Sequence, residues 1–154
     1  MALTACPDKE AKPVGVSSLE ELNAAGKVPI QFQSASARMV GVGGGRVFDA
    51  TFKNLLDRPV SMFKSTVLLV DSAGKLCPDG ENESGYGEMT PLKPGEEFQL
   101  SLMAPEGCAS SLKVVVKDVL YEMPSPLGKN MPAITMKWAN SKFEAELAKA
   151  RGAP

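Results

Sequence analysis

Residues 59–74 read P-V-S-M-F-K-S-T-V-L-L-V-D-S-A-G, the longest run of strand-forming residues in the chain, and Asp71, Ser72, Ala73 and Gly74 end it with turn chemistry. Val67, Leu68, Leu69 and Val70 are apolar on both parities, so both faces of this strand are expected to be covered, as in the middle of a sheet. Other segments read as its partners. Over 28–40 the residues Ile30, Phe32, Ser34, Ser36 and Arg38 share one parity, and the alternation decays after Phe32, which predicts an edge strand. Phe48, Ala50 and Phe52 alternate with Asp49, Thr51 and Lys53, a strand with one face in the core. A short strand is predicted over 86–90, and another over 97–103 with Phe98, Leu100 and Leu102 inward. Over 111–121 Leu112, Val114 and Val116 point inward, with a bulge expected near Lys117 and Asp118 where the parity breaks. The last strand, 131–138, places Ile134, Met136 and Trp138 on one face.

Turns are expected at 54–59 and at Pro91-Leu92-Lys93-Pro94-Gly95-Glu96, and loops at 75–84, 104–110 and 122–130. Two helices frame the strands. Ser18 with Glu21 forms a capping box, Gly26 suits a left-handed stop, and Leu19 and Leu22 share a face against the sandwich edge. Ser141 with Glu144 reads as a second capping box, opening a helix that runs to Arg151 and stops at Gly152, docked by Phe143 and Leu147. Seven or eight short strands between Gly/Pro turns indicate an all-β sandwich with short terminal helices, one domain over 17–154 behind a polar tether over 1–16.

Val67-Leu68-Leu69-Val70-Asp71-Ser72-Ala73-Gly74, followed by Leu92-Lys93-Pro94-Gly95-Glu96-Glu97-Phe98, resembles the bacterial immunoglobulin-like FxLYD domain. Leu69, Asp71 and Gly74 sit at matching positions, whereas Val67 and Val70 replace the aromatic pair. The resemblance covers about 47–121 and implies an immunoglobulin-like β-sandwich outside the cytoplasm, often on a lipoprotein, with no general catalytic set. Near the start, Leu3-Thr4-Ala5-Cys6 resembles a lipobox, whose cysteine thiol is acylated. Only five residues precede Cys6, fewer than the charged start and 7–15 apolar residues of a signal peptide, so a leader upstream of Leu3 is the expectation. The alternative is a chance match and a free thiol. Three cysteines leave one over in an oxidising compartment. A Cys77–Cys108 disulfide with lipid on Cys6 uses all three; three reduced thiols in a cytosolic protein is the competing reading.

Composition narrows the chemistry. The apolar fraction of 44% suits an ordered domain, and 154 residues suffice for one core. A net charge of −1 without a basic run gives no nucleic-acid footprint and no polybasic membrane patch. Histidine is absent, which removes Ser-His and Cys-His nucleophile pairs and histidine metal sites. Gly41-Val42-Gly43-Gly44-Gly45 is followed by a strand rather than the helix a phosphate loop needs, so it reads as a hairpin connection. Asp79, Glu81 and Glu83 lack calcium-loop spacing and read as a solvated acidic loop. Eight methionines invite Cu(I), but form no M-x-x-M or M-x-M cluster, and Met62 and Met136 lie in strand patterns that want core residues. Trp138 and Tyr121 suit packing better than a ligand patch, and Asp49, Asp71 and Asp118 show no acid–base geometry.

The expected function is that of a non-catalytic cell-envelope lipoprotein, periplasmic or attached to the outer membrane. It would bind a protein partner in the bacterial envelope through loops or an edge strand and touch the membrane only through a lipid anchor. The alternative is a periplasmic small-ligand or metal-binding protein. No nucleic-acid partner, catalytic residue, cofactor or metal ligand is assigned.

Overall fold

The computed structural model describes residues 15–40, 45–104 and 107–152. A short helix, α1 (Leu19–Ala24), precedes β1 (Ile30–Val40), β2 (Gly45–Asn54), β3 (Val60–Val70), β4 (Leu76–Leu92), β5 (Glu97–Ala104), β6 (Ser111–Met123) and β7 (Ile134–Ala139), and α2 (Phe143–Ala150) follows them. The strands form two antiparallel sheets, ordered β1-β2-β5 and β4-β3-β6-β7, which pack as an immunoglobulin-like sandwich.

β3 is central, as its apolar run requires. Val67 and Leu69 turn into the space between the sheets, while Leu68 and Val70 turn outward, where Val115 and Leu147 of α2 cover them. Tilted and edge-on aromatic contacts fill the sandwich: Phe32 on Phe52 at 5.7 Å, Phe52 on Phe63 at 5.3 Å, and Tyr86 on Phe98 at 4.4 Å. The Tyr86 hydroxyl donates to the Thr90 carbonyl, so the buried ring keeps its polar end satisfied. The expected bulge is present: Lys64 pairs with Asp118 and Ser65 with Val116, leaving Lys117 extra.

Three sequence expectations need correction. The stretch 75–84 is not a loop, because β4 begins at Leu76 and pairs along β3. A strand covered on both faces needs a backbone partner on each side, and β4 supplies one despite its polar composition. The second capping box does not form: Lys142 is the N-cap residue of α2 and makes no side-chain cap bond. Asn140 takes that role, its Oδ1 accepting from the Lys142 amide and its Nδ2 donating to Glu146. Met62 and Met136 are exposed rather than core residues. The expected edge strand is present: β1 lies at the edge of its sheet and is exposed throughout after Phe32, with a bulge between Phe32 and Ser34 that changes its parity. The first capping box does form, with Glu21 N donating to Ser18 Oγ and Ser18 N to the Glu21 carboxylate, and Gly26 takes φ 69°.

The sandwich has two distinct ends. At one, Asn54 is fully buried and donates to the Arg58, Leu92 and Lys93 carbonyls while accepting from the Leu56 amide. Ser17 bonds to Leu55 and Asp57 at this end, which also holds the start of β3, the end of β6 and the start of β7. At the other end a Cys77–Cys108 disulfide, Cα atoms 6.0 Å apart, ties the start of β4 to the β5–β6 loop. Arg46 donates to the Ala109 carbonyl there, joining the two sheets.

Candidate functional site: an open edge beside β1

β6 is thirteen residues long and has β3 along one side from Ser111 to Tyr121. On its other side β7 pairs only from Asp118 to Met123. Asn140 extends that cover by two residues, its amide donating to the Lys117 carbonyl and its Nδ2 to the Val116 carbonyl. Residues 111–115 have no strand on that side among the described residues.

The facing strand is uncovered at the same level. Ala35 pairs with Ala50 and Ala37 with Phe48, so both share the face that Ala50 and Phe48 turn to the core, yet both are exposed. The parity change at Gln33 puts these two small residues on the inner face. Between the β1 and β6 flanks lies an open groove of about 490 Å³, lined by Val28, Phe32, Val114, Val116, Glu146 and Lys149 among others. Its floor is apolar and its α2 rim is charged. Lys113 at the rim donates from Nζ to the Ala150 carbonyl, anchoring the end of α2. This combination suits an added strand: main-chain partners from the edge, apolar contacts from the floor.

Charged groups elsewhere hold structure. On the outer face of the three-stranded sheet, Asp49 accepts from Arg38 Nε at 2.7 Å and from Ser101 Oγ at 2.7 Å. The Arg38 hydrogen bond, then that of Ser101, holds the Asp49 carboxyl below its usual range. Arg151 makes paired bonds of 2.7 and 2.6 Å to Glu81, lowering the Glu81 pKa and tying α2 to β4. Lys117 lies 5.7 Å from the Phe143 ring centroid.

The structure separates most of the sequence candidates. Asp49 lies on the outer sheet face, Asp71 caps the β3–β4 turn by accepting from the Ala73 and Lys75 amides, and Asp118 lies 3.9 Å from Lys137. Asp79, Glu81 and Glu83 are spread along β4, and among the described residues no cluster of three or more His, Cys, Asp or Glu is placed to hold a metal. Trp138 is half-buried beside α1, its Nε1 donating to Asn23 at 3.2 Å, and Tyr121 is in the core. The predicted pairing of Cys77 with Cys108 is present, whereas Cys6 and residues 41–44 of the glycine-rich stretch lie outside the described residues. Among the described residues no helix is long and apolar enough to cross a membrane.

The open edge had one sequence signal. The strand pattern over 111–121 is longer than the 131–138 segment expected beside it, so part of it had to lack that neighbour. Which part depended on the bulge and on Asn140.

No protein-family model matches the chain, and no curated protein matches it. A crystal structure of a hypothetical protein from Peptoclostridium difficile 630 is similar, with a TM-score of 0.56 at 10% identity, covering 80% of this chain and 92% of that one. That likeness is one of fold.

Proposed function

We propose that the chain is a non-catalytic cell-envelope lipoprotein, an interaction module that takes an extended segment of a partner protein onto the open edge of β6. The carrying observation is the coincidence of two vacancies: residues 111–115 lack a strand neighbour where Ala35 and Ala37 lack a facing layer. A strand added in line with β7 would lie roughly 4.8 Å from β6 and about 10 Å from β1, filling both. The small alanines leave room for larger apolar side chains at its inward positions. Its outward positions would meet Lys113 and Lys149, which favours acidic residues there.

The compartment rests on separate support. A disulfide persists in oxidising surroundings, and Leu3-Thr4-Ala5-Cys6 has the form of a lipidation signal. The likeness to FxLYD domains points the same way. A small ligand is the second reading, favoured by the groove's volume, which falls in the usual range for such sites.

Photo-crosslinking from a benzoylphenylalanine placed at Ala37, in the organism that makes the chain, separates these readings. The proposal expects one dominant protein adduct whose cross-linked segment alternates apolar and polar residues, absent when the probe sits at Gln99 on the opposite face. Equal adducts from both positions, or none from Ala37, would refute it.

A further inference from the structure

We infer that the β6–β7 loop is a membrane-contacting surface, its apolar tip resting in the headgroup layer of the bilayer that holds the Cys6 lipid. This rests on the lipoprotein reading above and adds a second, protein-borne contact to it. Three observations converge. Leu127 is 80% exposed at the loop tip, and Met131, Ile134 and Met136 are exposed beside it. The loop keeps its shape through local bonds: Leu127 N to Ser125 Oγ, Gly128 N to the Ser125 carbonyl and Met131 N to the Gly128 carbonyl. Pro124, Pro126 and Pro132 restrict it further. So the leucine is presented on a tied turn.

The second observation is position. The described chain starts beside Leu55 and Asp57, at the end of the sandwich where β6 finishes and β7 begins. Cys6 is nine residues before Gly15, a reach of at most about 30 Å. A lipid on Cys6 therefore holds this end, and not the disulfide end, toward the bilayer. The third is charge: Lys129 is the loop's one charged residue over 124–133, a sign that suits anionic headgroups. An exposed apolar tip of this kind can seat its leucine among the lipid headgroups, as the apolar faces of interfacial helices do. The contact also sets orientation. Val115 precedes Met123 by eight residues, so the open edge of β6 would stand about 26 Å further from the bilayer, facing sideways along it.

The test couples the full chain through Cys6, the thiol outside the Cys77–Cys108 disulfide, to maleimide-lipid vesicles of phosphatidylethanolamine and phosphatidylglycerol. Leu127→Trp in a Trp138→Phe background reports the loop, and Ala73→Trp in the same background reports the opposite end. The inference expects the Leu127→Trp emission to shift to the blue on coupling. Brominated lipids should quench it at least about twofold, leaving Ala73→Trp unchanged. Emission at 127 that stays as in water would overturn it, as would a blue shift that needs no vesicles and grows with protein concentration, which marks a second copy as the occupant. Should Trp138→Phe unfold the chain, the difference spectrum between Leu127→Trp and the parent gives the same reading. Lipidation itself is read separately from the mass of the native Cys6 peptide, so failure of the loop contact and failure of the lipoprotein reading are distinguishable.

Discussion

At Asn54 one buried amide joins the β2 end to the β2–β3 and β4–β5 connections through four hydrogen bonds. Asn54→Ala leaves the Leu92 carbonyl and the Leu56 amide without these partners, a cost of about 3 kcal/mol in urea unfolding. A loss below 1 kcal/mol would mean water takes over the bonds. Gly85 is constrained differently: a Cβ there would lie 2.1 Å from the Phe63 carbonyl oxygen. Gly85→Ala should therefore destabilise by at least about 2 kcal/mol by the same measurement, since backbone must shift. Neither role was legible beforehand. Asn54 sits in a stretch of turn composition, and Gly85 in a run that looked like a loop end; each depends on contacts distant in sequence.

At the scale of elements, the disulfide and α2 both fasten the first third of β4, at Cys77 and at Glu81. The bond from Cys77 to Cys108 closes a loop of sequence separation 31. Replacing both cysteines by serine should cost about 3–4 kcal/mol on the chain-entropy view, read from urea unfolding with the slope fitted for each protein, since the freed denatured chain exposes more surface. α2 is fastened by Leu147 in the Leu68, Val70 and Val115 patch and by Arg151 on Glu81. The Glu81 pKa lies below its ordinary 4.5 through the Arg151 hydrogen bond. Its contribution is thus complete above about pH 4.5 and fades as pH falls through the lowered value. Protection factors of the Phe143–Ala150 amides, taken relative to intrinsic exchange at each pH, should fall on acidification, and Arg151→Gln should abolish that pH step. A step unchanged in the variant would assign it to another carboxylate.

The same elements show what the pattern of residues carried. β2, β5 and β6 were legible because each has an apolar stripe at period two, β3 because its run is apolar on both sides, and the bulge at Lys117 because the stripe changes side. β4 was hidden because its inward positions include Asn82 and Ser84, with Tyr86 its main aromatic, so pairing with β3 rather than its own composition makes it a strand. β7 misled in another way. Ile134, Met136 and Trp138 do share a face, but no layer covers its start, and Ile134 and Met136 stay exposed. Periodicity reports which side a residue faces, not whether anything is there.

The whole molecule is a β-sandwich with one flank incomplete toward its disulfide end. We propose that β6, open over 111–115, becomes paired when a partner strand arrives. Residue-resolved amide hydrogen exchange on the isolated domain tests this most directly. Amides within 111–115 that are not bonded to β3 should exchange as unprotected groups, while those of 118–123 facing β7 are protected, and the cross-linked partner segment should slow the former by orders of magnitude. Protection over 111–115 in the isolated protein equal to that over 118–123 would show the edge already occupied, and would contradict the account.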